Sequence, residues 1–338
     1  MLENRVHHNS NRGIESMANF GLIRGNEVFA NATGLYAGGA STQVLGNLFY
    51  DNTQHAIVMQ SATSSPVHVE NNTIYHETGD AVRVEGGTQS ARFFSNIFQV
   101  EGGFALSVAT DSQAGFSSNY NLFHLTGAGK VVEWQGVAFD NVVDWFLATG
   151  FDGNSGEGDP LFVDPAGRDF HLLPGSPAID RGVPNRPYLE EPSPNGGRIN
   201  IGRYGNTPEA TASSAQLVQV LAPNGLQKFE VGQEVAVSFR SSGLTAERTV
   251  ALFNAGGGSV DNWLDENLYL VQGDSRNTAG AIDLSLVTDP APAAVYNSYL
   301  AAVNGAGNSL IYDLALPDGV YDVRLHFMEP SGIGPGVR

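Results

Sequence analysis

Cysteine is absent from this 338-residue sequence, and cationic residues are scarce. Without cysteine the chain has no disulfides, no thiolate metal sites and no cysteine nucleophile. Only 17 Lys and Arg residues stand against 35 Asp and Glu residues, which gives a formal net charge of −18. Because an acidic surface repels nucleic acid and anionic membranes, we expect neither as a partner. No apolar run reaches the roughly 18 residues that a membrane helix needs, so we also expect no membrane insertion.

The residues that are abundant are typical of a β-rich protein. Charged residues make up only 15% of the chain, and glycine occurs 41 times. Few long helix formers together with many Gly and Asn residues are typical of extracellular β proteins. We therefore expect a secreted or cell-surface protein that is monomeric and all-β.

A repeat runs through the first third of the chain. Six four-residue segments, whose first residues are 21–25 positions apart, begin with asparagine and have an apolar third residue: NRVH at 4, NEVF at 26, NLFY at 47, NTIY at 72, NIFQ at 96 and NLFH at 121. A second marker, a small residue followed by an apolar one, keeps the same spacing: Gly13-Ile14, Gly34-Leu35, Ala56-Ile57, Ala81-Val82 and Ala105-Leu106. Two markers with one period predict a stack of structurally equivalent coils.

The repeated columns predict short parallel strands. Alternate residues of a strand face opposite sides, so the apolar third residue of each segment points inward. The asparagine column suits the turn before a strand, where stacked amides bond to one another and Asn tolerates left-handed backbone. A leucine-rich repeat has a similar period, but its L-x-x-L-x-L-x-x-N pattern is absent. The repeat therefore predicts a β-solenoid with two or three strands per coil.

Residues 1–205 resemble the right-handed parallel β-helix proteins, a fold shared by pectate lyases and many secreted bacterial proteins. The segments DPLFVDP at 159–165, DFHL at 169–172, GSPAID at 175–180 and INIGRY at 199–204 are similar to the closing segment of such proteins. We assign residues of about 150–205 to this closing segment and expect it, with Trp134 and Trp145, to cover the last apolar layer. Because Asn4 already lies within a coil, we expect further coils upstream in the natural protein.

A linker and a second domain are predicted to follow. Residues 206–216 are small and polar, and the alternating pattern from 217 onward resembles the opening strands of an immunoglobulin-like sandwich. The segments ALFNAGG at 251–257 and LIYDLALPDGVYDVRLHFME at 310–329 resemble a malectin-like carbohydrate-binding domain. The predicted fold class is thus an all-β right-handed parallel β-helix followed by a partial β-sandwich over residues 217–338, whose malectin-like part is incomplete.

Aromatic side chains are the candidate carbohydrate-binding residues. Phe29, Tyr50 and Tyr75 follow one outward column of the repeat, where neighbouring coils lie about 4.8 Å apart. A ladder of rings suits the flat C–H faces of sugars, but the same rings could simply pack under a loop. The malectin-like resemblance adds Tyr296 and Tyr299, together with Tyr269, in loop-like sequence.

A candidate catalytic group lies in the neighbouring outward columns. Lyases with this fold, by resemblance, use an Arg or Lys base that removes the proton α to a uronate carboxylate, often beside calcium. Arg83 with Asp80 and Glu85 is the nearest match, and a plain Arg–Glu surface pair is the alternative. Calcium is the one cofactor for which the sequence offers candidate ligands. Asp159 and Asp164 are the candidates for a structural calcium site, and turn hydrogen bonds are their alternative role.

Other active-site motifs are missing from the sequence. It contains no G-x-S-x-G, P-loop or H-E-x-x-H pattern, and His7 and His8 are expected to point apart as strand neighbours. We therefore expect a polysaccharide-interacting protein that binds glycan through its β-helix and malectin-like modules. The alternatives are a β-helix polysaccharide lyase or glycoside hydrolase acting on acidic polysaccharide, and a structural stalk or adhesin.

Overall fold

The computed structural model describes residues 1–60, 66–243, 251–265, 270–277, 283–285, 290–301, 309–314 and 323–325. The chain forms two compact units, residues 1–244 and residues 245–338. The first unit is built around a parallel β-solenoid with three strands in a complete coil.

Sheet 1 contains the strands that follow the asparagine column. The column that begins at Val6 and Val28 is in register through Phe49, Ile74, Phe98 and Phe123. From Val28 onward these side chains are 0% exposed, so the column lies in the core as predicted. The strands of sheet 1, in spatial order, are β1 (Arg5–His7), β4 (Glu27–Phe29), β7 (Leu48–Tyr50), β10 (Thr73–His76), β13 (Ile97–Val100), β16 (Leu122–Leu125) and β19 (Gly156–Glu157).

Sheet 2 contains the second marker of the repeat. Ile14, Leu35, Ile57, Val82 and Leu106 pair in register, and all of them are buried. The strands of sheet 2 are β2 (Arg12–Ser16), β5 (Thr33–Ala37), β8 (His55–Gln60), β11 (Val82–Glu85), β14 (Phe104–Val108), β17 (Lys130–Trp134) and the antiparallel β18 (Val137–Phe139).

Sheet 3 lacks a marker that we recognised in the sequence. Its strands point Ile23, Val44, Val69 and Phe93 into the core, and these four side chains are at most 2% exposed. The strands are β3 (Leu22–Arg24), β6 (Gln43–Leu45), β9 (Val67–Glu70), β12 (Ala91–Phe94) and β15 (Ser117–Asn119). A 3-10 helix, Thr110–Ser112, joins β14 to β15. The predicted all-β class and the parallel solenoid are confirmed.

The asparagine column forms a continuous hydrogen-bonded ladder. The side-chain oxygen of Asn72 accepts from both the backbone N–H and the amide of Asn47, at 2.8 and 2.9 Å. The same pair of hydrogen bonds links each successive pair of asparagines in the column from Asn4 to Asn121. A second, shorter ladder joins Asn9, Asn31 and Asn52.

The left-handed residue of each turn is not the asparagine itself but the residue before it. Positive φ values occur at Glu3, Gly25, Gly46, Asn71, Ser95 and Tyr120, each directly before a ladder asparagine. The asparagine can therefore keep its side chain aligned along the stack while its neighbour makes the turn.

A short helix covers the last coil. The helix α1 (Val142–Thr149) begins at Asn141, whose side chain accepts from the Asp144 amide, and ends at Gly150 with φ 81°. Its Trp145 is 0% exposed and packs against Trp134 with ring centroids 5.5 Å apart. The predicted covering role of the two tryptophans agrees with this arrangement.

Most of the predicted closing segment, residues of about 150–205, covers sheet 1 and not the last apolar layer, where we expected it. The antiparallel strands β20 (Phe162–Asp164) and β21 (Asp169–Leu172) begin a stretch that runs back along the outer face of sheet 1. Asn71 donates to Asn200 O at 2.9 Å, Arg203 N donates to Thr73 Oγ1 at 3.0 Å, and Arg168 pairs with Asp51 at 2.6 Å. The segment covers this face because Leu48, Tyr50, Ile97 and Leu122 make it apolar.

A hairpin completes the first unit. The strands β22 (Leu217–Ala222) and β23 (Ser238–Ser242) pair antiparallel, and Gln219 Nε2 donates to Asp180 O at 2.8 Å. These contacts attach the hairpin to the solenoid unit. The domain boundary that we predict at residues 206–216 stays a prediction.

The second unit contains short strands around a small core. Its described strands are β24 (Phe253–Asn254), β25 (Leu264–Asp265), β26 (Leu270–Gln272), β27 (Asp274–Asn277), β28 (Ser298–Ala301) and β29 (Ile311–Tyr312), and a 3-10 helix spans Ala293–Asn297. Ala291, Val295 and Tyr296 form the core, with Val260, Trp263 and Leu284 against it. Among the described residues, no helix is both long enough and apolar enough to span a bilayer.

Candidate functional site on the outer face of sheet 2

One of the outward columns of sheet 2 runs across the whole face. Neighbouring strands pair Glu15 with Tyr36, Tyr36 with Val58, Val58 with Arg83, Arg83 with Ser107, and Ser107 with Glu133. Because equivalent positions on parallel strands lie about 4.8 Å apart, the column is a stripe of regularly spaced groups.

An open cavity of about 330 Å³ lies on β11, β14 and β17. Its polar lining side chains are Arg83, Glu85, Ser107, Thr110 and Glu133, and we call it the Arg83 cavity. Arg83 Nη2 lies 3.0 Å from Glu85 Oε2, and Ser107 Oγ donates to Glu133 Oε2 at 2.9 Å. The cavity thus offers one guanidinium and two carboxylates, all within reach of solvent.

Of the predicted catalytic residues, the structure brings Arg83 and Glu85 together. Asp80 precedes β11, and its carboxylate accepts from the Phe104 amide at 3.2 Å. Among the described residues, the ion-pair partner of Arg83 is Glu85 and not Asp80. Asp80 is not among the residues that line the cavity.

Sequence analysis missed Glu133 as a candidate site residue. The marker of a small residue followed by an apolar one ends at Ala105-Leu106, because the residue before the next apolar position, Val132, is Val131 rather than glycine or alanine. Val132 nevertheless continues the inward column, and Glu133 follows it in the outward one. Extending the column by one coil would have found this carboxylate.

A second polar group lies at the other end of the same face. The Arg12 guanidinium lies 3.5 Å from the centre of the Tyr36 ring and also pairs with Glu15 at 2.6 Å. The Tyr36 hydroxyl donates to Gln60. Polar and aromatic groups therefore occur along both halves of the face of sheet 2.

The predicted aromatic ladder exists on sheet 1. Phe29 stacks on His7 and on Tyr50, with ring centroids 4.7 Å apart in both pairs. Phe170 of the closing segment lies 5.4 Å from both Tyr50 and Tyr75. Tyr50 is only 3% exposed, and its hydroxyl donates to Glu27 at 2.6 Å.

Phe170 covers the Tyr50 ring, so Tyr50 can pack under the closing segment but cannot stack on a sugar. Burial raises the pKa of the Tyr50 phenol, and a ring this enclosed presents no face to a sugar. Packing under a covering segment, the alternative that we named, describes Tyr50. Phe29 and Tyr75 are half-buried, and their role as sugar-binding residues stays a prediction.

The tyrosines of the second unit differ in exposure. Tyr296 is 5% exposed, and its hydroxyl accepts from the Ala291 amide at 3.1 Å. Tyr299 is half-buried in β28, opposite Arg276. Tyr269 and much of the segment 310–329 lie outside the described residues.

The two candidate calcium ligands both form turn hydrogen bonds. Asp159 accepts from the Leu161 amide at 2.8 Å, and Asp164 accepts from the Gly167 amide at 3.0 Å. Within the described part of the chain, no group of three or more His, Asp or Glu side chains is placed to hold a metal ion. Calcium binding at these two residues stays a prediction.

The comparison with protein families agrees with this fold. Residues 1–121 match the family model described as the right handed beta helix region. The coils of the first unit therefore form a right-handed parallel β-helix. Searches of curated proteins and of solved structures gave no match.

Proposed function

We propose that this protein binds polysaccharide on the outer face of sheet 2, with the Arg83 cavity as the centre of the site. The observation that carries the proposal is that Arg83, Glu85, Ser107 and Glu133 line one open cavity. Sheet 1 offers no comparable surface at Tyr50, because the closing segment covers it.

The chemistry of the cavity suits a sugar ligand. Carboxylates and guanidinium groups accept from and donate to hydroxyl groups, and such charged hydrogen bonds are stronger than neutral ones. The coils space these groups regularly along one face, and Arg12 and Tyr36 add polar and aromatic groups beyond Val58 on the same face. We further propose that the protein is secreted or on the cell surface, where its malectin-like second unit adds carbohydrate contacts.

Affinity electrophoresis tests the binding proposal. The full chain would migrate through gels containing pectate, alginate or a neutral glucan, beside the variants Arg83→Ala and Glu133→Gln. We expect each variant to bind the retarding polysaccharide about tenfold more weakly, which corresponds to roughly 1.4 kcal/mol. Arg92→Ala is the matched control, because Arg92 is an exposed arginine on sheet 3.

Two outcomes of the electrophoresis would overturn the binding proposal. If no polysaccharide retards the chain, or if Arg83→Ala and Arg92→Ala behave alike, the face of sheet 2 is not a glycan site. A structural stalk or adhesin would then be the better account of the fold.

A catalytic role is the second candidate, because Glu85 and Glu133 place two carboxylates on the same cavity as Arg83. Two carboxylates are the usual requirement for glycoside hydrolysis, and an arginine beside a uronate carboxylate suits β-elimination, because it neutralises the negative charge that develops there. Ultraviolet absorbance of unsaturated uronates would reveal a lyase, and new reducing ends alone would reveal a hydrolase. Lack of both signals with retained binding would leave the site as a binding site.

A further inference from the structure

His171 on β21 has an imidazole ring whose orientation is set by its neighbours. Its Nδ1 lies 2.6 Å from Asp169 Oδ1, and the same carboxylate oxygen accepts from the His171 backbone amide at 3.0 Å. The ring also stacks on Tyr204, with centroids 3.9 Å apart and planes 14° apart. Asp169 therefore holds the Nδ1 edge of the imidazole, and Tyr204 packs against one of its faces.

The bond to Asp169 determines which ring nitrogen is available. A carboxylate can only accept, so the neutral ring carries its proton on Nδ1 and keeps a lone pair on Nε2. This nitrogen faces Glu209 Oε2 at a distance of 3.8 Å, too long for a hydrogen bond. A nitrogen and an oxygen that both have lone pairs thus face each other across a gap.

The charges around this gap favour a cation. Asp169 and Glu209 are both carboxylates, and the side chains of His171, Asp169 and Glu209 are 39%, 43% and 66% exposed. The Arg203 guanidinium lies 5.4 Å from the centre of the Tyr204 ring, on which His171 stacks. An ion from solvent can therefore enter the gap.

We propose that His171 Nε2 and Glu209 bind a divalent transition-metal ion, for which Zn²⁺ has the best match, with water as the remaining ligands. Zinc binds nitrogen and carboxylate oxygen at about 2.0–2.2 Å, and tetrahedral geometry then separates the two atoms by about 3.4 Å. Glu209 is exposed, so its carboxylate can move the few tenths of an ångström that remain. Asp169 is a positioning residue, since a carboxylate on the far nitrogen orients a ligating histidine and raises its basicity.

The site would fasten two parts of the first unit to each other. His171 lies in β21 and Glu209 in the stretch predicted as a linker, so the ion closes a loop of 38 residues. An ion that binds the folded state and not the unfolded state raises the melting temperature. This gives the proposal a readout that is independent of glycan binding.

Zinc titration of the full chain, after treatment with a chelator, tests the site. We expect Zn²⁺ to raise the melting temperature and to bind with measurable heat, while Mg²⁺ and Ca²⁺, which prefer oxygen ligands, do neither. His171→Ala and Glu209→Gln should each weaken zinc binding at least tenfold. Asp169→Asn should weaken it by about 10–100-fold, as expected for a residue that orients a ligand.

His7 and His8 supply the control that this experiment needs. We expected these side chains to point apart, but the backbone of His8 is left-handed, with φ 58°, and their Nδ1 atoms lie 2.8 Å apart on exposed side chains. They are therefore another place where zinc could bind. The double variant His7→Ala/His8→Ala should keep the rise in melting temperature if the proposal is correct. The proposal is overturned if this double variant abolishes the effect, or if His171→Ala and Glu209→Gln bind zinc as tightly as the natural chain. If His171 only bridges two acids as a cation, His171→Ala lowers the metal-free melting temperature and zinc shifts all the chains equally.

Discussion

The indole Nε1 of Trp145 donates a hydrogen bond to Asp152 Oδ2, 2.9 Å away in the covered end of the solenoid. Asp152 is 0% exposed, and its other oxygen accepts from Asn121 at 3.1 Å and from Ser155 at 2.5 Å. The asparagine ladder therefore ends on a carboxylate that the covering helix satisfies. Burial raises the pKa of this carboxyl group, and the hydrogen bonds from its donors offset part of the cost of removing it from water.

We predict that Trp145→Phe lowers the free energy of unfolding by about 2–4 kcal/mol, because it removes a donor from a buried carboxylate and leaves a gap. Chemical denaturation followed by circular dichroism would measure the change. Trp134→Phe is the comparison, since it alters the same aromatic cluster without removing the bond to Asp152. Equal losses in the two variants would mean that the hydrogen bond contributes nothing specific.

Loss of an asparagine from the middle of the ladder should cost more than loss at its open end. Asn72→Ala removes the acceptor of two Asn47 donors and the donor to Asn96, all buried. We expect a loss of about 3 kcal/mol for Asn72→Ala and less than about 1 kcal/mol for Asn4→Ala, whose side chain is exposed. Thermal unfolding of the two variants side by side measures this difference. A similar loss of unfolding free energy in both variants would contradict a buried ladder.

Removal of Phe170 should release the closing segment from sheet 1. Its ring is 1% exposed and touches Tyr50, Tyr75 and Phe162. We predict that Phe170→Ala costs about 3–5 kcal/mol and increases protease cleavage within residues 159–205. Phe20→Ala, at a side chain that is 81% exposed, should leave both stability and cleavage unchanged. An unchanged cleavage pattern in Phe170→Ala would show that other contacts hold the segment.

His76 should make the first unit less stable in mild acid. The ring is 1% exposed, its Nε2 lies 3.1 Å from Gln54 O, and burial lowers its pKa to about 4 from 6.5. Between these two values the unfolded chain binds a proton that the folded chain does not. The stability that the neutral, buried His76 gives the folded chain is therefore fully present above pH 6.5, and it is lost progressively as the pH falls toward 4.

A variant without His76 shows how much of the loss of stability in mild acid this histidine causes. From pH 7 to pH 5 the natural chain should lose about 2 kcal/mol more of its unfolding free energy than His76→Gln does. His8→Gln, at an exposed histidine, should follow the natural chain. Parallel pH profiles for the natural chain and His76→Gln would exclude His76 as the cause.

The solenoid could be predicted from the repeat alone. Each ladder asparagine and each inward apolar residue contacts its equivalent one coil away, so the period of the repeat encodes these contacts directly, as Asn47 and Asn72 illustrate. Arg83 and Glu85 could be placed together because alternate residues of one strand share a face, and the coil period leads from Arg83 through Ser107 to Glu133. The third sheet was not recognised, because its strands lack a residue as distinctive as asparagine.

The position of the non-repeating chain depends on contacts between residues far apart in the sequence. The bonds from Asn71 to Asn200 and from Arg203 to Thr73 join residues about 130 positions apart, and no period relates them. For this reason the burial of Tyr50 under Phe170 and the approach of Glu209 to His171 could not be derived from spacing. Both depend on which exposed apolar face the closing segment covers, and packing over the whole unit sets that choice.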